Sequence, residues 1–194
     1  MPGIGRKLEI CCGTNPSAKP GYESNDINPG VGIEHVGAIQ DMDFDDGTFV
    51  EIFGTGAIEH LTYEEAARFL RRAIRWLTPG GVLYLDAPDM LGWVEDLIRQ
   101  RRSKSSVITA LNGWRRFSGD EHKSFWTLEL LTLALRVVGF DPIDAHRKTD
   151  RDKGANESDG TGPSDSDWHV CVRAYRQFGD LPVVIAPDAV SYGW

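Results

Sequence analysis

The chain has 194 residues, and its 29 acidic against 21 basic residues give a net charge of −8 at neutral pH. This acidic balance argues against general affinity for a nucleic-acid backbone, and no apolar run approaches the roughly 20 residues that span a bilayer. The length predicts one domain, which we place at residues 1–178, followed by a tail at residues 179–194.

The cysteines and the first ten residues bear on where the chain works. Cys11 and Cys12 are adjacent within a strand pattern and Cys171 is remote, so no disulfide framework is predicted. The opening sequence MPGIGRKLEI lacks the apolar segment of a secretion signal. These features predict free thiols in a cytoplasmic protein, and no spacing of ligand-type residues predicts a metal site.

A short strand and a tight turn begin the pattern of elements. Leu8, Ile10 and Cys12 alternate with more polar neighbours, and the run then breaks at Gly13. Glycine tolerates positive φ and lets a ligand approach the backbone closely. A second short strand is predicted to end at Asp26, where a carboxylate can accept hydrogen bonds from a ribose diol.

Two further strands are predicted before the first helix. Residues 35–40 and 49–53 supply them, with an acidic, turn-rich segment at residues 41–48 between. The later strand runs into Gly54-Thr55-Gly56, a second place where a ligand can approach the backbone closely.

The clearest helix is predicted over residues 63–76. Its apolar side chains recur at helical spacing, and Thr62 with Glu65 forms a capping box at its start. The sequence Pro79-Gly80-Gly81 is predicted to end it. Residues 82–85 then form an apolar strand of the kind that is covered on both faces, and this strand ends at Asp86.

The second half of the chain is predicted to contain two more helices and a hairpin. The helices cover residues 90–101 and 127–138, and residues 103–123 between them are interpreted as an irregular cover segment. Strands at residues 141–146 and 168–175 are joined by polar residues 146–167, which predict a mobile loop. The apolar tail is predicted to pack on the domain or on a second subunit, giving a homodimer.

This alternation of strands and helices, followed by a hairpin, predicts an α/β fold. We expect a Rossmann-like open sheet, mostly parallel, with a C-terminal antiparallel hairpin strand and helices on both faces. A parallel crossover normally needs a helix and about a dozen residues, whereas only residues 15–21 separate the first two strands. The link between these strands is therefore predicted to be short and irregular.

Four segments, in order, resemble motifs of the class I S-adenosylmethionine (SAM)-dependent methyltransferases, in particular small type 11-like members. LEICCGTN at residues 8–15 resembles the glycine-rich first motif, and DFDDGTF at residues 43–49 resembles the family's LPF-DGSFD segment. AIEHL at residues 57–61 resembles VLEHL, and LTPGG at residues 77–81 resembles LKPGG. Cys11 and Asn15 stand where the first and third motif glycines usually are, and Val50 replaces the usual acid.

The resemblance implies a seven-stranded enzyme that takes a methyl group from SAM and releases S-adenosylhomocysteine. It implies that Glu9 lies near the amino group of SAM, that Asp26 binds the ribose, and that Asp41 and Met42 contact the adenine. Alternatives without a ligand remain for Asp26, as a turn cap, and for Asp41, in a solvated loop. The implied cofactor-binding residues are Glu9, Cys11, Cys12, Gly13, Asn15, Asp26, Ile27, Asp41, Met42, Gly54, Thr55 and Gly56.

A base would be needed to remove a proton from an oxygen or nitrogen nucleophile. The catalytic candidates are His122, His60 and Asp86, with Asp89 close to the last. Glu59-His60 before the capped helix has a purely structural alternative, and an acceptor that is already nucleophilic needs no base. We expect a small-molecule acceptor, although a protein side chain remains open.

Two other functions compete with methyl transfer. A catalytically silent SAM-fold subunit that binds a partner is favoured by the two replaced glycines and the abridged elements. A nucleotide-cofactor oxidoreductase fits less well, because G-x-G-x-x-G is absent and its helix does not fit in residues 15–21.

Overall fold

The computed structural model describes residues 5–13, 20–101, 103–149 and 168–179. The predicted mobile loop from residue 150 onward, the tail from residue 180 and Asn15 lie outside the described residues. The strands are β1 (Arg6–Glu9), β2 (Glu23–Asp26), β3 (His35–Val36), β4 (Phe49–Thr55), β5 (Leu77–Pro88), β6 (Ile143–Thr149) and β7 (Trp168–Tyr175). The helices are α1 (Tyr63–Trp76), α2 (Met90–Ile98), α3 (Lys104–Asn112) and α4 (Leu128–Val138).

The seven strands form one sheet in the order β3-β2-β1-β4-β5-β7-β6. The first five strands are parallel, and β7 pairs antiparallel with both β5 and β6. The predicted fold class, a mostly parallel α/β sheet with a C-terminal antiparallel hairpin, is confirmed. The strand order reverses direction at β1, and ligands of open α/β sheets bind beside such a reversal, at the carboxyl ends of the strands.

Helix α1 has the predicted bounds and supplies one large part of the core. Thr62 Oγ1 accepts the N–H of Glu65 (3.2 Å), and Glu65 Oε2 accepts the N–H of Thr62 (2.8 Å), so the predicted capping box is present. Phe69 and Ala73 on its inner face are fully buried, as is Phe49 on β4. Complete burial of an aromatic or branched side chain contributes on the order of 1.5–3 kcal/mol.

Several predicted bounds differ from the structure. The strand expected at residues 35–40 is only two residues long, because the chain turns at Gly37 (φ 148°) into a 3-10 turn at Ile39–Asp41. The helix expected to reach residue 101 ends at Ile98, since Gln100 has a positive φ of 53°. The strand expected at residues 82–85 is β5, which begins directly after α1 and includes the Pro-Gly-Gly sequence.

The prediction of an irregular segment over residues 103–123 is wrong in its first half, where α3 forms. Its sequence KSSVITALN is rich in serine and β-branched residues, which favour helices only weakly. Only Val107 is buried, so the helix has almost no apolar periodicity to detect. Within the described part of the chain, every helix is too short or too polar to cross a membrane.

Candidate functional site

Two neighbouring cavities open at the carboxyl ends of the parallel strands. The first cavity has a volume of about 250 Å³ and the second about 680 Å³. Four residues lie in the walls of both: Gly56, His60, Arg116 and Asp120. A ligand in one cavity therefore lies directly beside a ligand in the other.

The turn after β1 forms one wall of the first cavity. Cys11 and Gly13 both have positive φ (51° and 72°), which tightens the turn and brings Cys11, Cys12 and Gly13 to the cavity surface. The Cys12 N–H donates to the carbonyl oxygen of Asn25 (3.1 Å). Burial raises the pKa of Cys11 to about 12, so this thiol stays protonated at neutral pH.

Asp26 ties the turn to the end of β2. Its Oδ2 accepts the N–H of Gly13 (2.8 Å), and its Oδ1 accepts the N–H of Asn28 (2.8 Å). The residue lines the first cavity and is buried. A carboxylate has about four acceptor sites, so it can still accept hydrogen bonds from a ligand. Ile27 beside it also lines the cavity.

The far wall of the first cavity consists of the four residues from Gly37 to Gln40. The side-chain amide of Asn25 holds the beginning of this four-residue wall in place, because it donates to the carbonyl oxygens of His35 (2.9 Å) and Gly37 (3.0 Å). Gln40 is buried, and its Oε1 is an acceptor without a hydrogen-bond partner among the described residues. The sequence interpretation did not name Gln40 as a site residue. The feature of the sequence that could have identified it is its position directly before Asp41.

Asp41 and Met42, predicted to contact adenine, do not line the first cavity. The Asp41 side chain is 65% exposed and lies 3.7 Å from a guanidinium nitrogen of Arg68. The Met42 carbonyl accepts a hydrogen bond from Arg72 (2.7 Å). The reason is the 3-10 turn at Ile39–Asp41, which directs the chain away from the cavity after Gln40.

The Gly54-Thr55-Gly56 sequence contributes only its last residue to the cavities. A Cβ at Gly54 would lie 2.8 Å from Ile10 Cγ1, so that glycine serves strand packing. Thr55 is exposed and lies outside both cavity walls. Glu9, another predicted cofactor residue, is buried at the end of β1 and is not part of either wall.

The second cavity combines side chains from distant parts of the chain. Helix α3 and the residues after it cover it, and β5 ends and β7 begins at its base. Its walls contain Gly56, Glu59, His60, Pro88, Trp93, Ser105, Ser106, Thr109, Ala110, Trp114, Arg116, Asp120, His122 and His169. The sequence interpretation named only three of these residues as site residues, since most lie in segments without a recognisable motif.

Backbone contacts hold the cover of the second cavity in place. Gly113 ends α3 with φ 79°, and a Cβ there would lie 2.1 Å from the carbonyl oxygen of Asp120. The His122 N–H donates to the carbonyl oxygen of Asn112 (3.0 Å). The Glu59 carbonyl oxygen accepts the N–H of Lys123 (2.7 Å) and of Ser124 (3.2 Å). The cover is thus attached to the 3-10 turn Ile58–His60 that follows β4.

This attachment brings two of the predicted catalytic residues together. The rings of His60 and His122 meet edge to face with centroids 4.9 Å apart, and His60 Nδ1 lies 3.1 Å from the carbonyl oxygen of Glu121. Burial and the neighbouring His60 lower the pKa of His122 to about 4. Burial, with a smaller contribution from Asp86, raises the pKa of Glu59 beside them to about 8.

Asp86, the third predicted catalytic residue, does not line either cavity. It is almost fully buried at the end of β5, where its Oδ1 lies 2.6 Å from His169 Nδ1 and its Oδ2 accepts from Cys171 Sγ (3.1 Å). His169, which the sequence interpretation missed, is the residue of this pair that reaches the second cavity. Asp89 caps α2 and forms an ion pair with Arg147.

Comparison with known proteins gives one family match and many similar folds. A family model described as a methyltransferase domain matches residues 6–85. No curated protein matches the sequence.

Three solved structures illustrate the similarity of the fold. A SAM-dependent methyltransferase of Thermotoga maritima, described as a possible histamine N-methyltransferase, has 18% identity and a TM-score of 0.58 over 89% of this chain and 83% of its own. A SAM-dependent methyltransferase of Methanosarcina mazei has 19% identity and a TM-score of 0.58 over 90% and 93%. The 1,6-didemethyltoxoflavin N1-methyltransferase of Burkholderia thailandensis, solved with its substrate and S-adenosylhomocysteine, has 14% identity and a TM-score of 0.57 over 88% and 70%.

Proposed function

We propose that this chain, whose residues 6–85 match a methyltransferase-domain model, is a class I SAM-dependent methyltransferase and methylates a small molecule that binds in the second cavity. SAM occupies the first cavity, and the methyl group passes to the acceptor between Gly56 and His60. The observation that carries this proposal is the shared wall, because a methyl donor and its acceptor must lie in direct contact.

In this proposal the first cavity holds SAM largely through backbone. The backbone of residues 11–13 faces the methionine part, and Asp26 accepts hydrogen bonds from the ribose hydroxyls. In place of Asp41 and Met42, the partnerless Oε1 of Gln40 accepts a hydrogen bond from the adenine amino group. Gly56 leaves room for the reacting methyl group, since it carries no side chain.

The reaction is an in-line displacement. The acceptor atom forms a bond to the methyl carbon while the bond from that carbon to sulfur breaks, and the sulfonium becomes the neutral thioether. Holding both molecules in line can lower the barrier by on the order of 7–11 kcal/mol. An acceptor that carries a proton gives it to His122 or His60 on the cavity wall, or to His169, which Asp86 orients. The low pKa of His122 keeps its ring neutral at pH 7 and also makes it a weak base.

The second cavity supports a small-molecule acceptor. Its volume falls within the roughly 300–1,000 Å³ that is usual for such ligands. Trp93 and Trp114 offer flat apolar surfaces, and the hydroxyl groups of Ser105, Ser106 and Thr109 offer hydrogen bonds. The acidic net charge does not favour a nucleic-acid acceptor.

A cytoplasmic location is also part of the proposal. All three cysteines are free thiols, and Cys171 is buried against a carboxylate where a reduced sulfur is required. A reducing compartment preserves such thiols.

Calorimetric titration with SAM, S-adenosylhomocysteine and NAD tests this function. We expect SAM and S-adenosylhomocysteine each to bind one site per chain, and NAD not to bind. Absence of binding by both sulfur compounds would support the silent subunit instead, and binding of NAD alone would support an oxidoreductase.

A further inference from the structure

We propose that Glu59, His60 and His122 bind one divalent transition-metal ion of the Zn²⁺ type in the wall between the two cavities. Binding of the ion does not depend on the proposed function, whereas its role, holding the acceptor, rests on that function. With the ion bound, His60 and His122 are its ligands, so a proton from the acceptor goes to His169. No metal-ligand spacing is visible in the sequence, because only the fold brings His122 close to the other two residues.

The distances between the three side chains suit a shared ion. One donor atom from each residue lies within 4.8 Å of the other two. Ligand atoms about 2.1 Å from a tetrahedral zinc ion lie roughly 3.4 Å from each other. The three atoms therefore need to approach by at most about 1.4 Å, which small side-chain rotations provide.

Glu59 supplies a second and independent observation. It is only 3% exposed, and its Oε2 has no hydrogen-bond partner among the described residues. A buried carboxylate oxygen without a partner is costly, so such atoms are normally paired with a cation or a donor. This residue faces the second cavity beside the two imidazole rings, where a cation would provide the missing partner.

The hydrogen bonding of His60 also fits a ligand. The carbonyl oxygen of Glu121 can only accept, so the Nδ1 atom that lies 3.1 Å from it carries the proton. The Nε2 atom then has the free lone pair that binds metals. Metal-ligating histidines commonly donate their other ring N–H to a carbonyl or carboxylate in this way.

The backbone around the cluster is already fixed without an ion. Glu59 accepts two backbone hydrogen bonds from Lys123 and Ser124, and the His122 N–H donates to Asn112. The 3-10 turn carrying Glu59 and His60 is therefore attached to the segment carrying His122. A site fixed in this manner loses little conformational entropy when the ion binds.

The ligand set selects the type of ion and leaves room for the acceptor. Two imidazoles and one carboxylate suit Zn²⁺ and similar ions, whereas Mg²⁺ and Ca²⁺ prefer oxygen ligands. Three protein ligands leave at least one coordination position of the ion free. Since all three side chains line the second cavity, an acceptor oxygen, nitrogen or sulfur atom can take that position.

The test measures metal binding to chelator-treated full-length protein. Zn²⁺ is titrated calorimetrically, and Co²⁺ is added separately so that its visible absorption reports the geometry of the ligands. We expect one ion per chain, and at least tenfold weaker binding in both Glu59→Gln and His122→Ala. His146→Ala is the matched control, because His146 is exposed on β6 and lies outside the cluster, and it should bind like the wild type.

Folding and cofactor binding are checked in the same proteins. Far-UV circular dichroism and titration with S-adenosylhomocysteine show whether each variant keeps its fold, and His122→Asn replaces His122→Ala if the latter does not. No Zn²⁺ binding by the wild type, or equal binding by the cluster variants, overturns the metal site even if S-adenosylhomocysteine binds. Zn²⁺ binding without S-adenosylhomocysteine binding overturns the proposed function and leaves the metal site standing.

Discussion

The two cavities are built in different ways. The first is lined by three short segments at the ends of β1, β2 and β3 together with residues from the turn after β4 and from the cover. One carboxylate, that of Asp26, joins the first segment to the second. The second is formed by aromatic, hydroxyl and ionisable side chains brought from α2, α3, β7 and the segment after α3. A site for a constant ligand can rely on backbone shape, whereas a site that defines one particular acceptor needs side chains.

Gly113→Ala tests whether the cover of the second cavity is as rigid as its contacts imply. With φ 79° and ψ 165°, Gly113 has a conformation that only glycine adopts readily, and an added Cβ would lie 2.1 Å from a backbone oxygen. We expect a loss of about 3–4 kcal/mol in the free energy of unfolding, measured by urea denaturation. Gly47→Ala is the control, since Gly47 also has positive φ but its Cβ would meet nothing, and about 1 kcal/mol is expected there. Equal losses would show that the cover can move aside.

Glu59→Gln tests whether the carboxyl group of Glu59, in the wall of the second cavity, is buried and holds a proton at neutral pH. Because the native pKa of Glu59 is about 8, against 4.5 for a free glutamate, the native state holds a proton that the unfolded state releases. The stability of metal-free wild type should therefore decrease as pH rises from 5 to 8, by on the order of 3 kcal/mol more than that of the variant. Urea denaturation at both pH values measures this difference. Exposed Glu64→Gln should behave like the wild type, and parallel curves for wild type and Glu59→Gln would contradict the buried position of the carboxyl group.

The variants Asp26→Ala and Asp41→Ala compare how much each of two acidic residues contributes to SAM binding. The sequence analysis expected both residues to contact the cofactor. Asp26 lines the first cavity and fixes its turn, whereas Asp41 points to solvent near Arg68. We expect the Asp26 variant to bind SAM more weakly by roughly 1.5–3 kcal/mol, the range for a lost charged hydrogen bond. The Asp41 variant should bind SAM like the wild type. Calorimetry measures both, and an equal loss in the two variants would mean that SAM reaches beyond the first cavity.

Arg116→Ala has the smallest expected effect and concerns the wall that both cavities share. Its guanidinium binds both oxygens of Asp120 (3.1 and 3.2 Å), but its side chain is 63% exposed. Asp120 is buried, but it keeps the backbone N–H of Arg116 after the substitution, and the exposed guanidinium is screened by solvent. The free energy of unfolding should therefore change by only about 1 kcal/mol. Urea denaturation gives this value, and Arg99→Ala, which removes another exposed pair at the end of α2, is the control. A loss of unfolding free energy well above that of the control would show that the ion pair in the shared wall stabilises the fold.

Local signals explain why most of the fold was predictable. Helix α1 combines a capping box with a strict apolar face, and both are visible in 15 consecutive residues from Thr62 to Trp76. The alternation of strands and helices, followed by a hairpin, predicted the mostly parallel sheet with its C-terminal antiparallel strand. Helix α3 was missed for the opposite reason, since a single buried residue leaves no period to recognise.

The residues of the site differ in the same way: those within one continuous stretch were predictable, and those brought together by the fold were not. Asp26 and the turn at Gly13 were predicted to lie together because both belong to one continuous stretch, and the structure brings them within hydrogen-bonding distance. Asp41 lies outside the first cavity because it is the last residue of a 3-10 turn, and an acidic loop sequence does not reveal such a turn. His169 and Glu59 were missed because their environment comes from strand pairing and from a cover attached far along the chain.

The loop that carries Arg116 and Asp120 forms a common partition, joined by three hydrogen bonds between those two residues. A shift of this partition that enlarges one compartment reshapes the other. A ligand of one cavity that moves this partition changes the affinity of the other cavity, and by reciprocity each ligand changes the binding of the other by the same factor.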